Sequence, residues 1–377
     1  MKAVILVGGQ GTRLRPLTVN RPKPLLPVGN VPFLTHVFGH LRRHGIDEII
    51  LAVQYLPDRF RQFYGDGSAY GVRLTVADEP EPMGTAGAVK NVEQYLDPDE
   101  TFLAFNGDVL TDLDITDMLR YHKERGAALT ISLTPVEDTS SYGVVDMNAN
   151  GRISRFIEKP KREDAPSNLI NAGIYILEPE ALAMMPAAQH YMFEFGLFPT
   201  LLERGRPMYG YNPPAQTYWM DIGKPERYLD ANSDLLNGKV AGLAWQPVGS
   251  QYREGVWADE GCDISPEAHF SGAVILGRRC RIAAGARIVG PVVMGDNCSI
   301  GREANVTEAV LWEGANVGEG ATLHRCIIGE NASIAPRASI SGGAVIGDRA
   351  SIGAGNKLAN GIRINCNINL PDEAITF

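Results

Sequence analysis

Three glycines near the start of the chain, Gly8, Gly9 and Gly11, are followed within a dozen residues by Arg13, Arg15, Arg21 and Lys23. Glycine removes the side chain that would keep an anion away from backbone N–H groups. Cations beside such a loop can neutralise several phosphate oxygens at once. The grouping suits a nucleoside triphosphate. Two common phosphate loops do not fit it. A P-loop carries Lys and then Ser or Thr after its last glycine, whereas Thr12 and Arg13 follow Gly11, and a dinucleotide fingerprint needs glycine where Leu14 stands. A lone Gly-Gly-x-Gly would equally serve a strand-to-helix turn with arginines on the surface.

Four later segments carry chemistry-bearing side chains. In Asp78-Glu79-Pro80-Glu81-Pro82-Met83-Gly84-Thr85, acids precede a glycine and a hydroxyl. In Phe105-Asn106-Gly107-Asp108, a carboxylate stands just past an apolar run. That place suits Mg²⁺, which takes one or two protein oxygens plus phosphates, and it equally suits an Asp capping a turn. Phe156-Ile157-Glu158-Lys159-Pro160 offers an acceptor for hydroxyls and a compact positive charge, as many surface Glu-Lys pairs do. Asn171 offers both donor and acceptor. Tyr218-Trp219-Met220-Asp221-Ile222-Gly223 supplies a second isolated carboxylate.

The run Gly8-Gly9-Gln10-Gly11-Thr12-Arg13-Leu14-Arg15-Pro16-Leu17-Thr18, with Pro22-Lys23-Pro24-Leu25-Leu26-Pro27-Val28, resembles the signature of the sugar-1-phosphate nucleotidylyltransferases, and within them the mannose-1-phosphate guanylyltransferases. The other segments fit the same family. The resemblance implies a Rossmann-like nucleotidyltransferase domain followed by a left-handed hexapeptide β-helix. It puts Leu6, Gly8, Gly9, Gly11, Thr12, Arg13, Lys23, Glu79, Gly84 and Thr85 on the nucleotide, and Gly143, Glu158, Lys159 and Asn171 on the sugar phosphate. Asp108 and Asp221 would hold Mg²⁺, and Arg13, Lys23 and Lys159 would be catalytic. In the family, the position of Glu79 faces the base. A carboxylate only accepts, which suits the adjacent N1–H and N2–H₂ donors of guanine better than the single donor of uracil or thymine. As a plain loop acid, Glu79 would simply be solvated. The expected reaction joins GTP and mannose 1-phosphate into GDP-mannose and pyrophosphate. Alternatives are glucose 1-phosphate with dTTP or UTP, and a non-catalytic regulatory homologue. Phe195 departs from the family, which usually has Lys after the acid at Glu194.

Elements that could position these residues are legible over residues 1–237. Short apolar runs at 2–7, 48–53, 72–77, 101–106 and 127–133 read as strands, and 33–44, 54–64 and 86–95 as helices. Alternation of this kind predicts an α/β domain with a mostly parallel sheet. Ligands of such sheets bind beyond the carboxyl ends of the strands. Asp112 and Asp114 read as caps of a helix from Ile115. Residues 238–257 read as a linker, with Trp245 and Trp257 docking it.

From 258 to 377, an apolar anchor recurs every six residues, without a break from Ile334 through Ile340, Ile346, Ile352 and Leu358 to Ile364. Period six marks a hexapeptide β-helix, with one strand per side of a triangular coil. Only His269 and His324 could serve an acyltransferase there, and a lone His in a repeat is usually structural, so a structural role is expected; the family resemblance implies that this domain mediates homo-oligomerisation. The tail 371–377 could dock. A net charge of −9 argues against nucleic acid as a partner and makes any anion site a local cluster of cations. The five cysteines form no C-x-x-C pair and suggest neither zinc nor a disulfide framework. The first apolar run is too short for a signal peptide and no stretch is long enough to span a bilayer, so a cytoplasmic enzyme without membrane contact is expected.

Overall fold

Strand Ala3–Leu6 is apolar throughout, and Ala3, Val4 and Ile5 are fully buried. A strand with no polar face belongs inside a sheet covered on both sides. It pairs in parallel with Glu48–Val53 and with Phe102–Asn106, and Glu48–Val53 pairs in parallel with Arg73–Asp78. The structure, a computed structural model, describes residues 1–243 and 245–376. The chain divides into two compact units. Met1–Gly9 and Leu34–Trp219 form the first; Gln10–Phe33 and the chain from Met220 onward form the second.

The first unit holds a nine-stranded mixed sheet. Its parallel part contains the four strands above. Its other part is built on the long strand Leu169–Leu177, which runs antiparallel to Phe102–Asn106 and to Leu129–Pro135. Gly143–Met147 and Ile153–Glu158 extend it as an antiparallel pair, and Met208–Tyr211 lies parallel to Leu129–Pro135. Helices Gly84–Asn91 and Phe198–Glu203 share one core with the sheet, Ala86, Val89, Phe198 and Leu201 packing with Val4, Ile50 and Ala104. Leu6 aligns with Ala52 and with Asn106, and Ala52 with Ala77. That register sends Gly8, Glu79 and Asp108 out of the same edge of the sheet.

Local boundaries differ from the expected ones where backbone chemistry intervenes. The helix expected over 54–64 starts at Pro57, whose ring is suited to the first helical position, after Leu56 in a left-handed conformation. The one expected over 86–95 runs from Gly84 to Asn91, and Glu93–Tyr95 makes a separate 3-10 turn. Asp114 caps Ile115–Glu124 by accepting from Asp117 N at 2.9 Å. Asp112 does not; it accepts from Tyr218 N at 2.7 Å and ties two loops of this unit.

In the second unit the hexads build three sheets of eight, seven and six strands. The anchors stack in columns. One column runs Ile282, Ile300, Val317, Ile334 and Ile352; another runs Ile288, Val306, Leu323, Ile340 and Leu358. Leu276, Met294, Leu311, Ile328, Ile346 and Ile364 form the third. Each coil alone leaves its anchors in water; stacking closes one continuous core. Cys262, Cys280 and Cys298 take equivalent places on successive coils, each thiol donating to a backbone carbonyl, and all five cysteines are free. The first strands of the eight-stranded sheet, Ser250–Arg253 and Val256–Ala258, both begin within the stretch read as a linker. Trp245 Nε1 donates to Gly29 O at 3.3 Å. Phe377, the end of the expected tail, lies outside the described residues.

Helix Phe33–Arg43 carries a buried histidine, His40. Burial, and then the nearby His44 and Arg43 charges, pull its imidazole down to about 3. The unfolded chain binds this proton near 6.5, so the folded state loses stability as pH falls from there toward 3. Replacing His40 by Leu should remove roughly 3 kcal/mol of the stability lost between pH 7 and pH 4. Urea unfolding at the two pH values checks this; parallel losses in parent and variant would contradict it.

Candidate active site

In the first unit the site grows from the shared strand edge. Past Leu6 the chain stays in the sheet for one more bond, Val7 N to Ala52 O at 3.0 Å, and then reaches Gly8. A Cβ on Gly8 would stand 3.3 Å from Glu79 Oε1, so the missing side chain lets this carboxylate lie against the loop. Glu79 is itself fixed by N–H donation to Val53 O at 2.8 Å. Its carboxylate is buried and receives one long hydrogen bond, from Met83 N at 3.5 Å. Burial pushes its pKa up. At the neighbouring strand end, Gly107 N donates to Leu6 O at 2.9 Å, and a Cβ there would collide with Val7 at 2.4 Å. Only glycine lets the turn carrying Asp108 sit this close.

A second cluster surrounds Tyr175, which is fully buried in strand Leu169–Leu177. Burial first, then the carboxylates of Glu194, Glu158 and Asp108, push its phenol well above its ordinary value. Its hydroxyl accepts from Asn171 Nδ2 at 2.8 Å, while Asn171 Oδ1 accepts from Gly173 N at 2.9 Å. Asn171 thus holds the irregularity that interrupts this strand before Tyr175. Gly143 pairs with Glu158, and a Cβ on it would meet Phe156 at 2.2 Å and Glu158 Oε2 at 2.8 Å. Lys159 pairs with Glu158 at 3.1 Å and adopts φ 47°, a left-handed conformation unusual for lysine. Backbone of this kind persists where the surroundings over-determine it, and functional sites are where it clusters. Here Lys159 N donates to Tyr142 O at 3.0 Å.

Thr85 was expected on the nucleotide. Its hydroxyl is engaged within the protein, donating to Glu194 Oε2 at 3.1 Å and accepting from Phe193 N at 2.9 Å. Gly84, with φ +72°, lies against Tyr191 O, so the start of the helix is locked to the segment bearing Glu194. Glu194, Tyr175 and Trp219, whose Nε1 donates to Ala172 O at 2.8 Å, pack among these segments, and motif reading did not assign them a role. Glu194 had a signal, its match to the family beside the aberrant Phe195. Phe195 is 69% exposed.

In the second unit, Gly11 with φ +62° opens a 3-10 turn over Thr12–Leu14. A Cβ on Gly11 would stand 3.1 Å from Thr18 Cγ2 and 3.3 Å from Lys23 Cβ, so Lys23 packs on the glycine turn. Arg13 and Asp221, far apart in sequence, come together over Gly223. A Cβ there would be 3.1 Å from Arg13 Nη2 and 2.9 Å from Asp221 Oδ2. The first unit therefore presents Glu79, Asp108 and Glu158 beside glycines, and the second presents Asp221 with a guanidinium. Among the described residues no group of three or more His, Cys, Asp or Glu forms a metal cluster. A Mg²⁺ shared with phosphates requires only one or two carboxylates. No described helix is long and apolar enough to cross a membrane.

A family model described as nucleotidyl transferase matches residues 2–238. The chain belongs to the nucleotidyl transferase family. A second model, the EIF2B subunit epsilon LbH domain, matches residues 253–358, in keeping with a left-handed β-helix. This nucleotidyl transferase is 38% identical over 277 residues to the mannose-1-phosphate guanylyltransferase of Mycobacterium tuberculosis, covering 73% of this chain and 75% of that one. It is 37% identical over 351 residues to the mannose-1-phosphate guanylyltransferase catalytic subunit beta of Danio rerio, covering 92% and 91%. It is 38% identical over 270 residues to a UTP–glucose-1-phosphate uridylyltransferase of Synechocystis, covering 68% of each. Among solved structures, HddC from Yersinia pseudotuberculosis complexed with GMP-PN is similar at 28% identity and a TM-score of 0.54, over 62% of this chain and 99% of that one. The expectation of a sugar-1-phosphate nucleotidyltransferase, on an α/β domain followed by a hexapeptide β-helix, holds.

Burial, and then the Glu158 charge, raise the pKa of Glu194. Ionising it therefore disfavours the fold, an effect that appears as pH rises above its unfolded value near 4.5. Glu194→Gln keeps an acceptor for Thr85. The variant should melt above the parent at pH 8 and together with it at pH 4, as thermal melts at both values would show.

Proposed function

We propose that this nucleotidyl transferase makes GDP-mannose and pyrophosphate from GTP and mannose 1-phosphate. Glu79 carries the choice of base. It is a buried acceptor beside Gly8 at the strand edge, with one long internal hydrogen bond, and guanine offers the two donors it lacks. The relatives named mannose-1-phosphate guanylyltransferase support both base and sugar. The Synechocystis relative keeps glucose 1-phosphate with UTP as the second reading.

An oxygen of the sugar phosphate forms a bond to the α-phosphorus. The bond from that phosphorus to the bridging oxygen breaks on the opposite side, and pyrophosphate leaves with the electron pair. No base is needed, since a phosphate monoester is already ionised at neutral pH. Catalysis is then positioning and charge neutralisation. Backbone N–H groups around Gly9, Gly11 and Thr12 meet the phosphates; Arg13 takes the β- and γ-phosphates and steadies the leaving group. Lys23 takes the α-phosphate, and Lys159, 62% exposed at its side chain, takes the sugar phosphate. Gly143 and Glu158 border the sugar. Asp108 and Asp221 supply the hard oxygen ligands that suit Mg²⁺, which when bound would add charge neutralisation on the phosphates. We place the enzyme in the cytoplasm, where its phosphorylated substrates would be met.

Pyrophosphate release should be greatest with GTP and mannose 1-phosphate, by tenfold or more over pyrimidine triphosphates, about 1.4 kcal/mol in transition-state binding. Glu79→Gln should shift that preference toward UTP and dTTP. A parent enzyme preferring a pyrimidine triphosphate would keep the reaction and reject the role of Glu79. Asp108→Asn should lower turnover roughly 10²–10³-fold with melting unchanged; near-normal turnover would remove Asp108 from the metal.

A further inference from the structure

The loop bearing Arg13 and Lys23 lies in the same compact unit as the β-helix. Its backbone carbonyls can be followed one by one. Gly11 O accepts from Leu14 N and Thr18 Oγ1, Thr12 O from Arg15 N, Leu14 O from Leu17 N, and Pro16 O from Val19 N. The carbonyls of Arg13 and Arg15 are taken by a residue of the β-helix. Arg363 Nη1 donates to Arg13 O at 2.7 Å and to Arg15 O at 3.2 Å.

The rest of the loop is held along the same stack. Glu330, Asp348 and Cys366 stand eighteen residues apart, each two residues past a stacked anchor, Ile328, Ile346 and Ile364. Arg21 pairs with Glu330 at 2.8 Å and lies 5.0 Å over the Trp312 ring. Asn20 donates to Asp348 Oδ2 at 3.0 Å; Asp348 is 3% exposed and its Oδ1 accepts from Glu330 N. Asn30 donates to Met294 O at 2.7 Å. From Asn30 back to Arg13 the loop climbs the coils in order, and the turn that carries Arg13 meets the last of them.

We infer that Arg363 is a positioning residue for nucleotidyl transfer, clamping the backbone on both sides of Leu14 so that the terminal coils of the β-helix hold the triphosphate-gripping loop of their own chain in its working conformation. The hexapeptide domain is then part of the catalytic apparatus and not only a surface for assembly. The inference rests on the reading of Arg13 as a phosphate ligand. A guanidinium bonded to two carbonyls fixes a backbone more firmly than a neutral donor does. A misplacement of about 1 Å in a catalytic group can cost on the order of a hundredfold in rate.

The test compares Arg363→Ala, Arg363→Lys, Arg13→Ala and Arg349→Ala by steady-state pyrophosphate release, varying GTP and mannose 1-phosphate separately, with a thermal melt of each. The Arg349 guanidinium bonds to Asn367 on the same coils at 2.9 Å and serves as the control. Arg363→Ala should lower kcat/KM for GTP about tenfold, leave KM for mannose 1-phosphate within twofold, and melt with the parent. Lysine can still reach one carbonyl, so Arg363→Lys should recover most of the loss. If Arg13→Ala is severely impaired while Arg363→Ala matches the parent, the clamp is overturned and the phosphate reading stands. The clamp is equally overturned if Arg349→Ala is as impaired as Arg363→Ala, or if Lys fails to rescue. Full activity in Arg13→Ala overturns the phosphate reading itself, and the clamp with it.

Discussion

Parallel pairing of Ala3–Leu6 between Glu48–Val53 and Phe102–Asn106 is the constraint on which the first unit depends. The strand is buried on both faces, so a slip of one residue would move every side chain to the wrong side. Its register therefore sets where three unrelated loops begin. Gly8, Glu79 and Asp108 belong to segments with nothing in common except that each follows a strand of this group. Their closeness to one edge is a property of the pairing. The glycines then decide how close the loops may come, since Gly8 admits the Glu79 carboxylate and Gly107 admits Val7.

Charge is arranged locally against the general balance. The chain carries −9 overall, and its proposed substrates are anions. Within the first unit three carboxylates, Glu194, Glu158 and Asp108, act on one buried phenol. Like charges gathered in a low-dielectric setting repel one another. Lys159 beside Glu158 offsets part of it, and a bound cation would offset more. In the second unit, Arg13 beside Asp221 balances the other carboxylate. The carboxylates suited to a divalent cation thus come with positive charge that can also hold phosphate.

The β-helix contributes regularity of a different sort. Its coils repeat at about eighteen residues, so any given position of the coil recurs as a vertical row. Glu330, Asp348 and Cys366 are one such row, and the row receives Asn20 and Arg21 in sequence order. Helix Pro225–Leu236 uses the same unit as a base, with Tyr228 bonded to Trp312 Nε1 at 3.0 Å and Asp230 to Arg325 at 2.8 Å. A solenoid is well suited to this work because its rows are straight and each coil is held by its neighbours.

Much of this was legible in the sequence. Period-six anchors announced the β-helix, because only a triangular coil gives that spacing an inside. Short apolar runs announced the strands of the parallel group. The glycine and arginine signature announced phosphate chemistry, since few other needs put those residue types together. Tertiary structure alone decided the rest. Gln10–Phe33 belongs with the coils of 294–366, a pairing written in single side chains and carbonyls that leave no periodic mark. Thr85 is turned to Glu194 by the packing of two segments more than a hundred residues apart. Asp221 reaches Arg13 in the same way. Local sequence determines which chemistry a residue can do, because that depends on side-chain type and backbone propensity. Which partner it meets depends on long-range register and packing, and only the folded chain decides it.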